Sequence, residues 1–159
     1  MSYIPQRHSK YRIVFLIFLI ISSGVHMGLA DEGEQQLGLK DGHLQECPKS
    51  PNCLCSESSS GSHFIEPFAF STSPAKAWQQ IKQIIVILGG TIDQADQNYL
   101  HAIFTTSFFG FIDDLELRMD AANHLIQVRS ASRVGYYDFR ANKKRIERIR
   151  KHFHIPPAD

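Results

Sequence analysis

Residues 113–130 have the sequence DDLELRMDAANHLIQVRS, in which two alternating segments flank a short turn. The first segment sets apolar side chains on one side and charged ones on the other: Leu115, Leu117 and Met119 against Asp114, Glu116 and Arg118. Alternation with a period of two residues is typical of a β-strand with one buried face. Asp120–Asn123 supplies the turn, and His124–Ser130 returns, so the stretch predicts an antiparallel hairpin.

The register of this hairpin is predicted by keeping the two apolar sides together, because a slip of one residue would mix the faces. A two-residue loop at Ala121-Ala122 pairs Met119 with His124, Leu117 with Ile126, and Leu115 with Val128 on one face. The same register places Asp114 opposite Arg129. We therefore expect a cross-strand ion pair between these two side chains.

Two helices are predicted on either side of the strands. The first begins at Ser73-Pro74, because serine is a favoured N-cap and proline a favoured first helical residue, and it ends at Gly89-Gly90. Its apolar residues recur at helical spacing: Trp78, Ile81, Ile84, Ile85 and Leu88. The second helix spans about Ala141–Phe153, with His154 and Pro156-Pro157 after it. Its buried stripe is Ile146, Ile149 and Phe153.

Three further segments favour strands. Ile65–Phe70 is a candidate edge strand, since Pro67 does not suit a central one. Thr91–Ala95 is short, and Tyr99–Ser107 is rich in β-branched and aromatic residues. Together these elements predict an α+β fold, with a mainly antiparallel sheet of four to five strands and two helices packed on one face.

The N-terminus has the order of a secretory signal peptide. Arg7, Lys10 and Arg12 precede the apolar run IVFLIFLII at residues 13–21, and Gly28-Leu29-Ala30 then places small residues where cleavage would occur. We expect a signal peptide over residues 1–30 and a periplasmic or secreted protein. The alternative is an uncleaved inner-membrane anchor formed by residues 13–30, whose length approaches the spanning minimum.

The remaining chain is predicted to hold one domain. Residues 31–46 are polar and acidic and favour a flexible spacer, and residues 47–155 form the α+β domain. The 17 basic and 16 acidic residues of the whole chain give a net charge of +1. Without residues 1–30 the balance is 14 basic to 16 acidic. This composition gives no basic signature for nucleic acid.

Three cysteines lie within nine residues: Cys47, Cys53 and Cys55. In an exported chain they are expected to oxidise. Cys47 and Cys53 are the favoured disulfide, because Ser50-Pro51-Asn52 between them suits a tight turn, and Cys55 is then left over. A metal site would use the three cysteines with His43 or His63, but paired C-x₂-C spacing is absent, so we expect no metal and no cofactor.

Three segments carry a family resemblance. They are CPKSPNC at residues 47–53, GFIDDLE at 110–116, and RSASRVGYYD at 129–138, followed by Asn142 and Arg145. Together they resemble the domain-of-unknown-function family 1499 over about Cys47–Lys151. The resemblance implies the same fold unit but no activity, cofactor or catalytic role. The chain departs from the family pattern at two places, because the resemblance leads us to expect a glycine near Arg140 and a serine near Cys55, where this sequence has arginine and cysteine.

The candidate binding residues follow from the third of these segments: Arg129, Ser130, Ser132, Arg133, Asp138, Asn142 and Arg145. Guanidinium groups, hydroxyls and a helix N-terminus that converge would suit a phosphate or carboxylate. We therefore predict an exported envelope protein that binds a small anionic ligand or an envelope partner without catalysis. The same residues are also consistent with a purely structural network, in which Arg145 pairs with Asp138.

Other functions remain open from the sequence. A hydrolase would use Ser132 or Asp113, with His124 as the base, but no nucleophile-elbow motif frames either residue. A structural or interaction module of the cell envelope is a further alternative. Contact with a membrane would come through an uncleaved N-terminus or through the basic last helix, whose cations outnumber its single acid, Glu147.

Overall fold

The computed structural model describes residues 36–106 and 110–153. The predicted signal peptide or anchor, residues 31–35 of the predicted spacer, and the expected end of the last helix at His154 lie outside the described residues. The elements in chain order are β1 (Leu39–Lys40), β2 (His43–Leu44), β3 (Cys53–Cys55), β4 (Phe68–Ala69), α1 (Pro74–Ile87), β5 (Thr91–Ala95), β6 (Tyr99–Thr105), β7 (Ile112–Asp120), β8 (Leu125–Ser132) and α2 (Ala141–Phe153).

The main sheet confirms the α+β class. Its strands are antiparallel in the order β3-β8-β7-β6-β5, and β4 also pairs with β8. The sheet thus has six strands rather than four or five. The additional strand is β3, in the cysteine segment, which pairs with the end of β8 through Cys53 opposite Ala131. A separate two-stranded sheet joins β1 to β2.

Both helices form as the sequence predicts and pack on one face of the main sheet. The Ser73 side chain accepts a hydrogen bond from the Lys76 amide at 3.3 Å, and Pro74 is the first helical residue of α1. Gly89, with φ of +91°, turns the chain away after α1. The predicted stripe of α2 is buried against the same core.

The β7–β8 register differs from the predicted one by two residues. Leu117 pairs with Val128 instead of Ile126, and Arg129 lies opposite Glu116 instead of Asp114. The expected ion pair between Asp114 and Arg129 is therefore wrong. A slip of two residues keeps every side chain on its face, so the alternation alone does not distinguish the two registers.

The turn explains the shift. It contains four residues, Ala121–His124, rather than two. The Asp120 carboxylate accepts hydrogen bonds from the Asn123 amide nitrogen at 3.3 Å and from its side chain at 3.0 Å, which closes the wider loop. His124 ends the turn with φ of +55°, a conformation that short hairpin loops often require.

The sheet face away from the helices is also covered. Glu116 and Asp114 are buried there, although the alternation predicts a polar outer face. Part of the predicted spacer supplies the cover: the β1–β2 hairpin buries Leu44 against Tyr99, and the Gly38 amide donates to Glu116 Oε1 at 2.7 Å. Residues 36–46 thus form a packed hairpin, because Leu44 buries an apolar side chain there.

Candidate functional site

The strand alternation of β8 divides the predicted binding residues between the two faces of the sheet. Ser130 and Ser132 lie on the helix face, opposite Leu115 and Asp113 of β7. Arg129 lies on the other face, opposite Glu116. Five of the seven residues come together on the helix face, whereas Arg129 and Arg133 do not. We call these five the helix-side cluster: Ser130, Ser132, Asp138, Asn142 and Arg145.

Asn142, in the first turn of α2, is the centre of the helix-side cluster and is fully buried. Its side-chain oxygen accepts from Ser130 Oγ at 2.7 Å and from Arg145 Nη1 at 2.6 Å. Its side-chain amide donates to Ser132 Oγ at 3.0 Å and to Asp138 Oδ2 at 2.9 Å. One amide therefore fixes the start of α2 against the end of β8.

Arg145 takes a different partner from the expected one. Its Nη2 donates to the Asp113 carboxylate, not to Asp138, and Nη1 also donates to Ser130 Oγ at 3.0 Å. The guanidinium carbon lies 4.8 Å from the centre of the Phe104 ring, within the range of a cation–π contact. These contacts hold the Arg145 head group in one place at the end of the sheet.

Asp138 caps the second helix. Its Oδ2 accepts from the Asn142 backbone amide at 3.0 Å and its Oδ1 from the Arg140 amide at 2.9 Å. Helix N-termini leave backbone N–H groups without intrahelical partners, and a carboxylate there satisfies them. Asp138 therefore orients α2 and accepts the N–H groups at the start of that helix.

Asn52 belongs to the helix-side cluster although the sequence reasoning did not select it. It lies between Pro51 and Cys53, is buried, and donates through Nδ2 to the Gly135 carbonyl oxygen. Its own carbonyl accepts from Asn142 Nδ2 at 2.9 Å. The predicted Cys47–Cys53 disulfide is confirmed and closes this loop. The sequence did contain a signal for Asn52, because Asn52 lies in the family-like segment 47–53 and its partner Gly135 lies in the segment 129–138.

The opposite face holds a second cluster around Asp114. Arg133 donates to both Asp114 oxygens, from Nε at 3.0 Å and from Nη2 at 2.9 Å, and His101 Nε2 lies 2.7 Å from Oδ1. Burial opposes the charge of Asp114, but the hydrogen bonds from His101 and Arg133 outweigh it and lower the pKa to about 2. The hydrogen bond to Asp114 raises the pKa of His101.

Arg129 forms a buried pair. Its Nη1 donates to Glu116 Oε2 at 2.6 Å, and its side chain is 2% exposed. The Tyr99 hydroxyl donates to Glu116 Oε1 at 2.7 Å. Burial and this bond to Glu116 raise the pKa of Tyr99. The Gly38 amide, just before β1, donates to Glu116 Oε1 as well, so this segment contacts the carboxylate that Arg129 binds.

Two concave surfaces lie beside the helix-side cluster. One, which we call the cationic groove, has a volume of about 330 Å³ and is lined by α2 and the end of β6, including Thr105, Thr106, Ala141, Lys144, Arg145 and Arg148. The other, which we call the aromatic cavity, has a volume of about 230 Å³, and its lining includes Asp113, Ser132, Phe111, Val134, Tyr137 and Phe139. Thr106 and Ala141 line both.

The structure does not assemble the predicted hydrolase triad from His124. This histidine lies in the β7–β8 turn, where its ring is 5.3 Å from that of Phe70. Ser132 is eight positions further along β8, which corresponds to about 26 Å at the rise of a strand. A serine and its base must be within hydrogen-bond reach, so His124 does not serve Ser132.

The cysteines do not form the alternative metal site. The disulfide occupies Cys47 and Cys53, and Cys55 is a buried free thiol. Burial raises the pKa of the Cys55 thiol to about 11. Within residues 36–106 and 110–153, no group of three or more metal-ligating side chains is found. In the same part of the chain, no helix is long and apolar enough to cross a membrane.

The family resemblance is confirmed by comparison with known families. The model of the family described as "Protein of unknown function (DUF1499)" matches residues 43–153, so the chain belongs to this family. The match includes the disulfide loop, β7, β8 and α2, and thus every residue of the helix-side cluster. No curated protein matches the chain.

Proposed function

We propose that this DUF1499 protein is a non-enzymatic binding domain for a small anionic ligand, held in the cationic groove. One observation carries the proposal. Three cationic side chains, Lys144, Arg145 and Arg148, line one groove together with the hydroxyl-bearing Thr105 and Thr106, and no carboxylate is among its described lining residues. Cations and hydroxyls on a surface to which no carboxylate contributes form the environment that phosphate or carboxylate groups require.

Two of the three cations are available to a ligand. Lys144 and Arg148 are exposed and are four residues apart on α2, so their side chains lie on the same helix face. Neither forms an ion pair within the described residues. Like charges at this spacing repel, and an anion bound between them would relieve that repulsion.

Arg145 contributes differently. It uses three of its five N–H donors on Ser130, Asn142 and Asp113, so it is fixed before any ligand arrives. A pre-positioned guanidinium loses less side-chain freedom on binding than a mobile one. In this proposal Ser130, Asn142 and Asp113 hold Arg145 in position, and Arg145 faces the anionic group.

Two of the arginines that the sequence favoured for anion binding, Arg129 and Arg133, are not part of the proposed site. Arg129 is enclosed with Glu116, and Arg133 is bound by both oxygens of Asp114, although 40% of its side chain is exposed. Their charges are already compensated by carboxylates. Arg145 is also paired, with Asp113, but unlike them it lines the groove beside Lys144 and Arg148. The proposed site therefore consists of Lys144, Arg145 and Arg148.

We also propose that the protein acts outside the cytoplasm, in the periplasm or as a secreted protein. The Cys47–Cys53 disulfide supports this location, because disulfides persist mainly in oxidising compartments. The basic, apolar and small-residue order of residues 1–30 supports it independently.

Thermal unfolding of the purified protein with inorganic phosphate, citrate and acetate tests the binding function. A ligand that binds only the folded state raises the free energy of unfolding by about 2.7 kcal/mol at a hundredfold excess over its Kd. We expect such a shift with at least one of these anions, and its loss in the double variant Lys144→Ala, Arg148→Ala.

The control removes the same charge elsewhere. The double variant Lys76→Ala, Lys82→Ala changes two lysines of α1 that do not line the groove. It should retain the anion-induced shift. A shift that both double variants lose would reflect net charge alone, and the absence of any shift in the unaltered protein would refute the proposed function.

A further inference from the structure

The cationic groove and the aromatic cavity are adjacent. Thr106 and Ala141 line both, and the ion pair between Arg145 and Asp113 connects them, since Arg145 lines the groove and Asp113 the cavity. A single ligand that passes Thr106 and Ala141 would contact both surfaces. Such a ligand needs one charged end and one apolar end.

The aromatic cavity suits an apolar occupant. Its walls include Phe111, Val134 and Phe139. The acidic and hydroxyl groups of Asp113, Ser132 and Asp138, which also line it, already have partners. The Asp113 carboxylate accepts from Arg145, Ser132 Oγ accepts from Asn142 Nδ2, and the Asp138 carboxylate accepts from two backbone amides at the start of α2. A buried polar group that is already hydrogen bonded does not require a polar ligand.

The rim of the cavity exposes large apolar side chains. Phe139 is 80% exposed, and its ring contacts that of Tyr137 at 5.8 Å between centres. Phe139 and Arg140 both have positive φ, +51° and +65°, and the resemblance leads us to expect glycine near Arg140. Exposed apolar patches and left-handed non-glycine residues both concentrate at binding sites.

We propose that the anionic ligand is a single-chain amphiphile of the fatty-acid class. Its carboxylate lies against Lys144 and Arg148 in the cationic groove, and its acyl chain passes Thr106 and Ala141 into the aromatic cavity. This inference rests on the proposed function and specifies its ligand. A free amphiphile is favoured over a bilayer surface, because the cavity reaches inward to the buried residues Asp113 and Ser132.

Titration calorimetry with saturated carboxylates of increasing length, each kept below its micelle concentration, tests the inference on the purified protein. Acetate, butyrate, hexanoate, octanoate and decanoate share one head group and differ only in methylene count. Burial of one methylene contributes about 0.8 kcal/mol, so each added methylene should lower Kd about fourfold until the cavity is full.

A matched pair of variants locates the chain. Val134 lines the cavity and is 56% exposed, whereas Val86 on α1 does not line it and is 58% exposed. We expect Val134→Glu to reduce the gain to less than twofold per methylene and Val86→Glu to retain it. The gain per methylene is the readout because a new carboxylate repels every carboxylate of the series equally.

The outcomes separate the two proposals. Binding of phosphate or acetate without any gain from chain length would overturn this inference and leave the proposed function standing. A gain that persists in Val134→Glu would also overturn it, since the chain would then lie elsewhere. Binding to vesicles of anionic phospholipid without binding of any monomeric carboxylate would overturn it in favour of a membrane surface. Failure of every anion to bind would refute both proposals.

Discussion

Asp114 binds two cationic groups on the sheet face away from the helices. It accepts from Arg133 through both oxygens and lies 2.7 Å from His101 Nε2. His101 Nδ1 lies 3.2 Å from the Asp93 carboxylate, so both ring nitrogens have acidic partners. Two carboxylates around one buried imidazole favour its protonated form, which makes the stability of this cluster dependent on pH.

Deprotonation of His101 should lower the unfolding free energy at alkaline pH. Because the folded protein raises the pKa of His101 above its ordinary value of 6.5, the stabilisation is complete below about pH 6.5 and is lost as the pH rises through the raised pKa. Urea unfolding from pH 5 to 9 should therefore show a decline in unfolding free energy that His101→Gln removes. His152→Gln, at an exposed position of α2, should retain the decline. An unchanged profile in His101→Gln would refute the assignment.

Protonation of Asp114 should lower the unfolding free energy at acid pH. Its pKa is lowered from 3.8 to about 2, so its stabilisation is complete above about pH 3.8 and is lost as the pH falls through 2. This shift corresponds to about 2 kcal/mol. We expect Asp114→Asn to lower the unfolding free energy at pH 7 by at least that amount, because it also removes the paired carboxylate of Arg133 and leaves His101 with Asp93 as its acidic partner. Asp93→Asn, at an exposed carboxylate, should cost much less, and an equal cost would contradict this account.

At the scale of elements, the sequence predicted both helices and the strands β4–β8, whose signals are local, but not the short strands β1–β3. Ser73-Pro74 and Gly89-Gly90 bound α1 through backbone preferences that do not depend on the rest of the fold. The β7–β8 register could not be predicted from such local signals. Registers two residues apart keep the same side chains on each face. The hydrogen bonds between Asp120 and Asn123 select one of these registers, and the alternation of apolar and charged residues does not reveal them.

The candidate site was predicted only in part, for a related reason. Arg129 and Ser130 are neighbours in sequence, but a strand directs them to opposite faces, so residues of one motif serve two clusters. Lys144 and Arg148 belong to the basic last helix, for which the sequence alone suggests no contact other than a membrane. Their role in a groove depends on the end of β6, which is distant in sequence.

The β1–β2 hairpin carries a prediction at this scale, because it covers Cys55. Leu44 is 5% exposed and packs with Cys55 and Tyr99, whereas Leu39 on the same hairpin is 39% exposed. Leu44→Ala should lower the unfolding free energy by about 2–5 kcal/mol, and Leu39→Ala by about 0.5 kcal/mol or less. The rate at which Ellman's reagent modifies Cys55 under native conditions provides a second readout.

We expect that rate to rise in Leu44→Ala and to stay unchanged in Leu39→Ala. Reaction requires the thiolate, and burial raises the pKa of Cys55 to about 11, so the covered thiol should react slowly. Equal rates in the two variants would show that the hairpin does not protect Cys55. Residues 36–46 would then behave as the spacer that their composition predicts.

For the whole molecule, the disulfide connects stability to location. The Cys47–Cys53 bond closes a loop with a sequence separation of six, and chain entropy gives such a closure about 2 kcal/mol of stabilisation. The same loop carries Asn52, which binds Asn142 at the start of α2. A compartment that keeps the bond oxidised therefore also supports the helix-side cluster.

Export is tested by the mass of the protein recovered from cell fractions. We expect cleavage after Ala30, a mature chain beginning at Asp31, one disulfide and one free thiol. Ala30→Arg should block cleavage because the position before the cut requires a small side chain, whereas Leu29→Arg, at the tolerant position between Gly28 and Ala30, should still be processed. An intact N-terminus in the unaltered protein, recovered with the membrane fraction, would instead support the anchor formed by residues 13–30. An intact, fully reduced chain in the cytoplasm would refute export, and the disulfide would then need another oxidant.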